Sequence, residues 1–390
     1  MAASVFLTAV KTIVALAAVA VLIELWMRYR FRRTEYYVWP RRYRRIIALD
    51  AATFPQLEPV VRFDVNDDGE RAETCPPGPN VYRVLILGGS TVEASLNDQD
   101  TSWPVQVEAR LNAPEARAAL GVRHVHIGNI GRSGMDAHGV SLVLERTARR
   151  YPELSAIWMM VGPGDLMRWL EAGAPPDAVV PPLDVNRCFA ENPEVRFGLH
   201  PKRLAIASVA KRLRLRWLRP IERRQNAGGW IAGARALRRD AERFVTEVPE
   251  MTNFLEKFEA ELDVVVCRAV AIASQVILIR QPAFRKARYL PEEEALFWNG
   301  GIGNAYRGEK VTVFFSTEVI LELLDRIEER IARVAARNGA LYVDTLPGMT
   351  ASVATFYDHF HLTRSGAEQL AAVVSDAVIR TRGRSSGHAG

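Results

Sequence analysis

The chain has 390 residues, 48% hydrophobic and 25% charged, a balance that excludes a disordered or collagen-like protein. Its three cysteines are too few and too scattered for a disulfide framework or a structural zinc site. Residues 1–50 hold nine Lys and Arg against three Asp and Glu, a net of +6 that equals the charge of the whole chain. The basicity is therefore local, which argues against a generally basic nucleic-acid-binding protein.

Ser4 to Trp26 is an apolar stretch interrupted only by Lys11 and Glu24. As a helix it would span roughly 33 Å, about one bilayer core. A cleaved signal peptide is the rival reading. Its leading residues would carry almost no positive charge, and no small-x-small cleavage site follows the apolar run. A transmembrane anchor over residues 1–27 is expected. Arg28, Arg30, Arg32, Arg33, Arg41, Arg42, Arg44 and Arg45 follow it, and the positive-inside rule then predicts a cytoplasmic soluble domain, with an extracytoplasmic one as the alternative. Residues 28–78 read as a basic juxtamembrane segment and linker that grips anionic headgroups.

Five short, apolar, β-branched runs recur beyond this point: Tyr82–Leu87, His124–Gly128, Ala156–Val161, Gln275–Arg280 and Leu341–Asp344. Amphipathic stretches lie between them, among them Thr317–Arg337 with Ser316 as its N-cap. Strands apolar on both faces that alternate with helices predict a parallel sheet covered on both sides. The expected fold is α/β, a three-layer α/β/α sandwich on a five-stranded parallel sheet over residues 79–382. Residues 171–250 break the rhythm. Their second part, residues 201–240, carries twelve Lys and Arg against two acids, and reads as a basic helical insertion rather than a further strand. It suits either an anionic surface or an ordinary solvated helix face. Residues 383–390 read as a disordered tail.

In such a sheet the site forms at the carboxyl ends of the strands. The first strand ends in Gly88-Gly89-Ser90, which is neither a G-x-S-x-G elbow nor a phosphate-binding loop. The second ends in Asn129-Ile130-Gly131-Arg132-Ser133-Gly134, a loop flexible enough to aim amide hydrogens at a ligand. The third leads into Gly162-Pro163-Gly164-Asp165, where Asp165 reads equally well as a helix cap. After the fifth come Asp358 and His361, three apart, so that a carboxylate can fix the tautomer of a base. His359 between them is expected to point elsewhere.

These segments, in this order, resemble the SGNH (GDSL-type) hydrolase family over about residues 62–380, apart from the insertion. The tracts Asp68–Arg71 and Asp100–Pro104, and the run HLTRSGAEQLA after the histidine, resemble features found beside those blocks. The resemblance implies Ser90 as nucleophile, His361 as base and Asp358 as its orienting acid. The amides of Ser90 and Gly134 would form the oxyanion hole. The third block is normally G-x-N-D; here Gly164 replaces the asparagine, so the site would lack one side-chain donor. Restoring it is expected to add up to ~3 kcal/mol of transition-state stabilisation.

The implied activity is that of a membrane-anchored ester hydrolase acting on a small-molecule, carbohydrate or lipid ester, with no cofactor or metal. Three alternatives stand beside it. The same triad could serve an acyltransferase. The fold could be a catalytically reduced binding component of a membrane assembly, or a nucleotide-binding domain, for which no phosphate loop is present.

Overall fold

The computed structural model describes residues 2–177, 180–210, 224–226, 228–304 and 309–386. Its ten strands are β1 (Arg44–Ala48), β2 (Val60–Asp64), β3 (Val81–Gly88), β4 (His124–Asn129), β5 (Ala156–Met160), β6 (Arg224–Asn226), β7 (Arg243–Val245), β8 (Gln275–Ile279), β9 (Val313–Phe315) and β10 (Leu341–Val343). The main sheet has five parallel strands in the order β10-β8-β5-β3-β4. Its members are the five expected runs, with ends shifted by a residue at most. Every residue of β5 is buried, because helices cover both faces and leave no position for a polar side chain.

Helices Trp103–Leu111 and Arg364–Ser386 pack together on one face. Helices Ala137–Thr147, Thr252–Ile272 and Thr317–Arg337 pack on the other. Ser316 caps the last of these, its side chain accepting the Val319 amide at 3.3 Å. Trp103, Trp158 and Trp169 are the largest enclosed side chains of the core between the layers. The first strand of the sheet, β3, lies between β4 and β5, so the chain reverses its winding at the carboxyl end of β3. Crevices form at such a point.

Three expectations are corrected. Residues 28–78 are not a plain linker: β1 and β2 pair antiparallel, Arg44 opposite Asp64 through Ala48 opposite Val60. The arginines of this segment mask an alternation that buries Ile47, Val61 and Phe63. The insertion is not purely helical, since β6 pairs with β1 and β7 pairs with β9. Its helix Gly228–Arg239 sends Ile231 into a satellite core with Ile47, Phe54, Val61 and Tyr357. The basic run KRLRLRWLRP lies outside the described residues. The C-terminal helix continues to Ser386, past the expected start of a tail at 383, and residues 387–390 lie outside the described residues.

The N-terminal helix runs from Ala2 to Arg32. Its Val5–Arg32 portion is long and apolar enough to cross a membrane, and its most apolar stretch is not buried by the rest of the protein.

Candidate active site

Strand β3 delivers Ser90 through a glycine pair. A Cβ on Gly88 would lie 2.3 Å from the Met160 carbonyl oxygen of β5, so only glycine lets the two strand ends approach this closely. Ser90 opens a single helical turn, Ser90–Glu93. The turn is clamped from behind by Arg71, whose buried guanidinium donates to the carbonyls of Glu93, Ala94 (2.7 Å) and Asn97 (2.8 Å). Burial lowers its pKa to about 10, which still leaves it charged at neutral pH.

Asp358 and His361 sit in a tight reversal after β10. Phe356 bridges Leu362, and the Tyr357 amide donates to the His361 carbonyl at 3.1 Å. Asp358 Oδ1 accepts the backbone N–H groups of Phe360 and His361, both at 2.9 Å, which fixes the carboxylate within its own loop. Its Oδ2 accepts His361 Nδ1–H at 2.7 Å. Burial alone would favour the protonated acid. The facing imidazole and these donors outweigh it and hold Asp358 well below the usual carboxylate range. A carboxylate can only accept, so Nδ1 carries the proton and Nε2 is left as an acceptor. Nε2 lies 2.6 Å from Ser90 Oγ, across 271 residues of sequence. The structure thus brings together the serine, histidine and aspartate singled out in the sequence.

Aromatic rings hold the imidazole in place. Trp298 stacks on one side at 6.0 Å and 5°, and Tyr357 lies parallel to it at 5.5 Å and 12°. Trp298 Nε1 also donates to Asp358 Oδ2 at 2.7 Å. No motif or periodicity around residue 298 announces this. A tryptophan that shares the acid's second oxygen is visible only in three dimensions. The insertion reaches the site too. Trp230 packs edge-on against Trp298 at 4.9 Å, and Arg235 donates to the carbonyls of Tyr357 (2.9 Å) and Leu296 (3.0 Å). His359 does point elsewhere. It is buried against Phe297 at 4.1 Å, and burial pushes its pKa well below the ordinary value, so it is neutral.

The loop after β4 is tied to the serine turn from several directions. Asn129 Nδ2 donates to the Val92 carbonyl at 2.7 Å while its Oδ1 accepts the Gly131 amide at 2.9 Å. The Ser133 amide donates to the Glu93 carboxylate, and the Arg132 amide to the Gly88 carbonyl at 3.0 Å. Gly134 adopts φ +75°, which glycine tolerates freely. Among the described residues neither the Ser90 nor the Gly134 amide has an acceptor within the protein. Both remain available to an incoming oxygen.

Gly164 behaves differently from the sequence-based expectation. An ideal Cβ there would lie 1.9 Å from the Met135 carbonyl oxygen and 2.7 Å from its carbon. The place a side chain would take is filled by the backbone that follows Gly134. No asparagine donor can simply be restored. Asp165, next along, is a brace as well as a helix residue: both its oxygens accept the Ala137 amide, at 3.0 and 3.1 Å, and burial pushes its pKa up to about 7. Among the described residues no group of three His, Cys, Asp or Glu side chains is placed to hold a metal ion.

No family model and no curated protein matches the chain. Among solved structures the chain is similar to LAE5, an alpha/beta hydrolase enzyme from the metagenome of Lake Arreo, Spain. The identity is 14% over 77% of this chain and 95% of that one, with a TM-score of 0.41. It is also similar to Axe2, an acetylxylan esterase from Geobacillus stearothermophilus, at 13% identity over 76% of this chain and 94% of that one, with a TM-score of 0.40.

Proposed function

We propose that the chain is a membrane-anchored serine hydrolase of ester bonds, built on the SGNH plan. The observation that carries this reading is the unbroken relay Asp358–His361–Ser90, with hydrogen bonds of 2.7 and 2.6 Å. In this mechanism Ser90 Oγ attacks the acyl carbonyl carbon while His361 Nε2 takes its proton. The carbonyl oxygen becomes an oxyanion facing the amides of Ser90 and Gly134. Two backbone donors are also the complement in the serine-protease template, so the loss of an asparagine at 164 does not by itself disable the site. Collapse of the intermediate breaks the ester C–O bond, and the leaving alkoxide takes the proton from His361. Water then repeats the sequence on the acyl-enzyme, releasing the acid and restoring Ser90. Asp358 stays ionised throughout and stabilises the imidazolium.

The anchor reading rests on the exposed apolar helix, and the cytoplasmic side on the arginines that follow it. A C-terminal reporter active only in an oxidising compartment tests the side; signal there overturns the cytoplasmic placement. The catalytic reading is tested with a fluorophosphonate probe on the full chain. Labelling at Ser90, lost in Ser90→Ala and His361→Ala variants that keep the parent's circular dichroism, supports it. A folded protein that neither labels nor turns over p-nitrophenyl acetate overturns it.

A further inference from the structure

The apolar part of the N-terminal helix, from Val5 to Trp26, spans roughly 33 Å and fills a bilayer core. Arg28 and Arg32 then fall within about 10 Å beyond the hydrocarbon edge, at the level of lipid phosphates. The chain returns to this level more than 160 residues later: Arg28 Nη2 donates to the Gly198 carbonyl at 2.7 Å, a sequence separation of 170. The amides of Ala205 and Ile206 donate to the Glu24 carboxylate at 2.8 and 2.9 Å. Phe197 packs on Phe31 at 5.1 Å. Glu24, polar within an apolar helix, is thus satisfied by the returning segment and by Arg28 Nε at 2.7 Å.

Helix and returning segment enclose an open cavity of about 350 Å³ lined by Arg28, Arg32, Glu194, Arg196 and Phe197 among others. This is within the usual size of a ligand site. Its charges are unbalanced. Glu194 is engaged by the Tyr36 hydroxyl and, at 3.5 Å, by Arg146. Arg32 and Arg196 are exposed and have no carboxylate partner among the described residues. Leu199, three residues after Arg196, is an apolar side chain 93% exposed.

We propose that this cavity seats the phosphodiester headgroup of an anionic phospholipid, with Arg32 and Arg196 as its ligands. The lipid fixes the height of the folded domain above the bilayer. The proposal rests on the anchor reading and is independent of the chemistry at Ser90.

The test uses the full chain purified in dodecyl maltoside. Native mass spectrometry follows lipid retention with phosphatidylglycerol or phosphatidylcholine added at equal concentration, and with inorganic phosphate as competitor. One phosphatidylglycerol per chain is expected in preference to phosphatidylcholine. The double variant Arg32→Gln/Arg196→Gln should bind it roughly thirtyfold more weakly, as for two interfacial arginines. Both side chains are exposed, and circular dichroism checks the variant's fold. Equal retention of the two lipids by the parent chain overturns the proposal without any variant. Displacement by millimolar phosphate reduces the cavity to a site for free phosphate and overturns the lipid assignment. The anchor is tested separately by alkaline carbonate washing of membranes. Release of the full chain, or loss of its N-terminal helix, overturns the anchor whatever the lipid count.

Discussion

Replacing Gly164 by asparagine separates what the sequence suggests from what the structure permits. By family pattern the substitution supplies a missing oxyanion donor and speeds the reaction. In the structure the new Cβ starts 1.9 Å from the Met135 carbonyl oxygen, about 1.5 Å short of ordinary contact, deep in the repulsive wall. One of the two segments must move. Pro163 restrains the helix start because its ring fixes φ. The other segment is held at Ala137 by both Asp165 oxygens and at Met135 by the Arg132 carbonyl (3.3 Å). Met135 follows Gly134 directly, so a displacement there moves the Gly134 amide. A misplacement of about 1 Å costs on the order of a hundredfold in rate, and overpacking costs about 1–3 kcal/mol in stability.

Gly164→Asn is therefore expected to lower kcat on p-nitrophenyl acetate at least about a hundredfold and to lower the melting temperature. Gly164→Ala, which has the same Cβ and no amide, is the decisive companion. Steric damage predicts similar losses in both, whereas a useful amide predicts that Asn exceeds Ala. The measurements are kcat, KM and thermal melts for the three proteins. A folded Gly164→Asn variant at least as fast as its parent would refute the packing argument.

Asp358→Asn should cost about ten-thousandfold in kcat, because an amide presents an N–H to a pocket already filled by N–H donors and reverses the tautomer of His361. Asp358 is fully buried, so solvent cannot take over its orienting role; a loss under tenfold would mean that the relay does not operate. Trp298→Phe keeps an aromatic face on His361 and removes one donor from Asp358. It should lower kcat about tenfold with KM unchanged, as for one hydrogen bond to a charged group, and unchanged kcat would remove Trp298 from the positioning shell. Burial raises Asp165 to about 7 from 3.8 and Glu328 to about 8 from 4.5. Both bind protons more tightly when folded, so their stability contribution is complete below about pH 4 and lost as pH rises through 7 to 8. Melting temperature should fall between about pH 5 and 8, and Glu328→Gln should flatten the upper part of that slope; a parent profile rising throughout the window contradicts the assignment.

The sheet was legible because each of its strands is an apolar run closed by a glycine, proline or polar break. Ser90, Asp358 and His361, which the fold joins by hydrogen bonds, stand with Gly134 at or beyond strand ends, where a doubly wound sheet forms its crevice; their expected roles came from the resemblance to the SGNH blocks. Other contributions depend on partners distant in sequence. The sequence marks the tract Asp68–Arg71 but gives Arg71 no role; only in the fold do four carbonyl and amide oxygens surround its guanidinium. Trp298 has no local pattern, and its role comes from a carboxylate sixty residues away. At Gly164 the sequence shows a glycine but not that the Met135 carbonyl occupies the place a side chain would take.

The first eighty residues are the largest part that composition concealed. Residues 28–78 read in the sequence as a basic juxtamembrane segment and linker, yet several of their groups reach the loop after β4, at the carboxyl end of the sheet. Trp39 Nε1 donates to the Gly131 carbonyl at 3.0 Å, and Arg132 Nη1 donates to the Val38 carbonyl at 2.8 Å while its guanidinium lies over the Trp39 ring. The loop bearing Gly134 is thus held between the serine turn on one side and the chain leaving the N-terminal helix on the other. Tyr37 extends the same connection: its amide donates to the Glu191 carbonyl at 2.9 Å, close in sequence to the segment that returns to Arg28 and Glu24. A truncation that removes the N-terminal helix and its arginine flank down to Val38 or Trp39 would therefore remove supports of the loop that bears Gly134. Activity measured on such a fragment would report on a loosened site, and the full chain is the species in which the geometry around Ser90 should be judged.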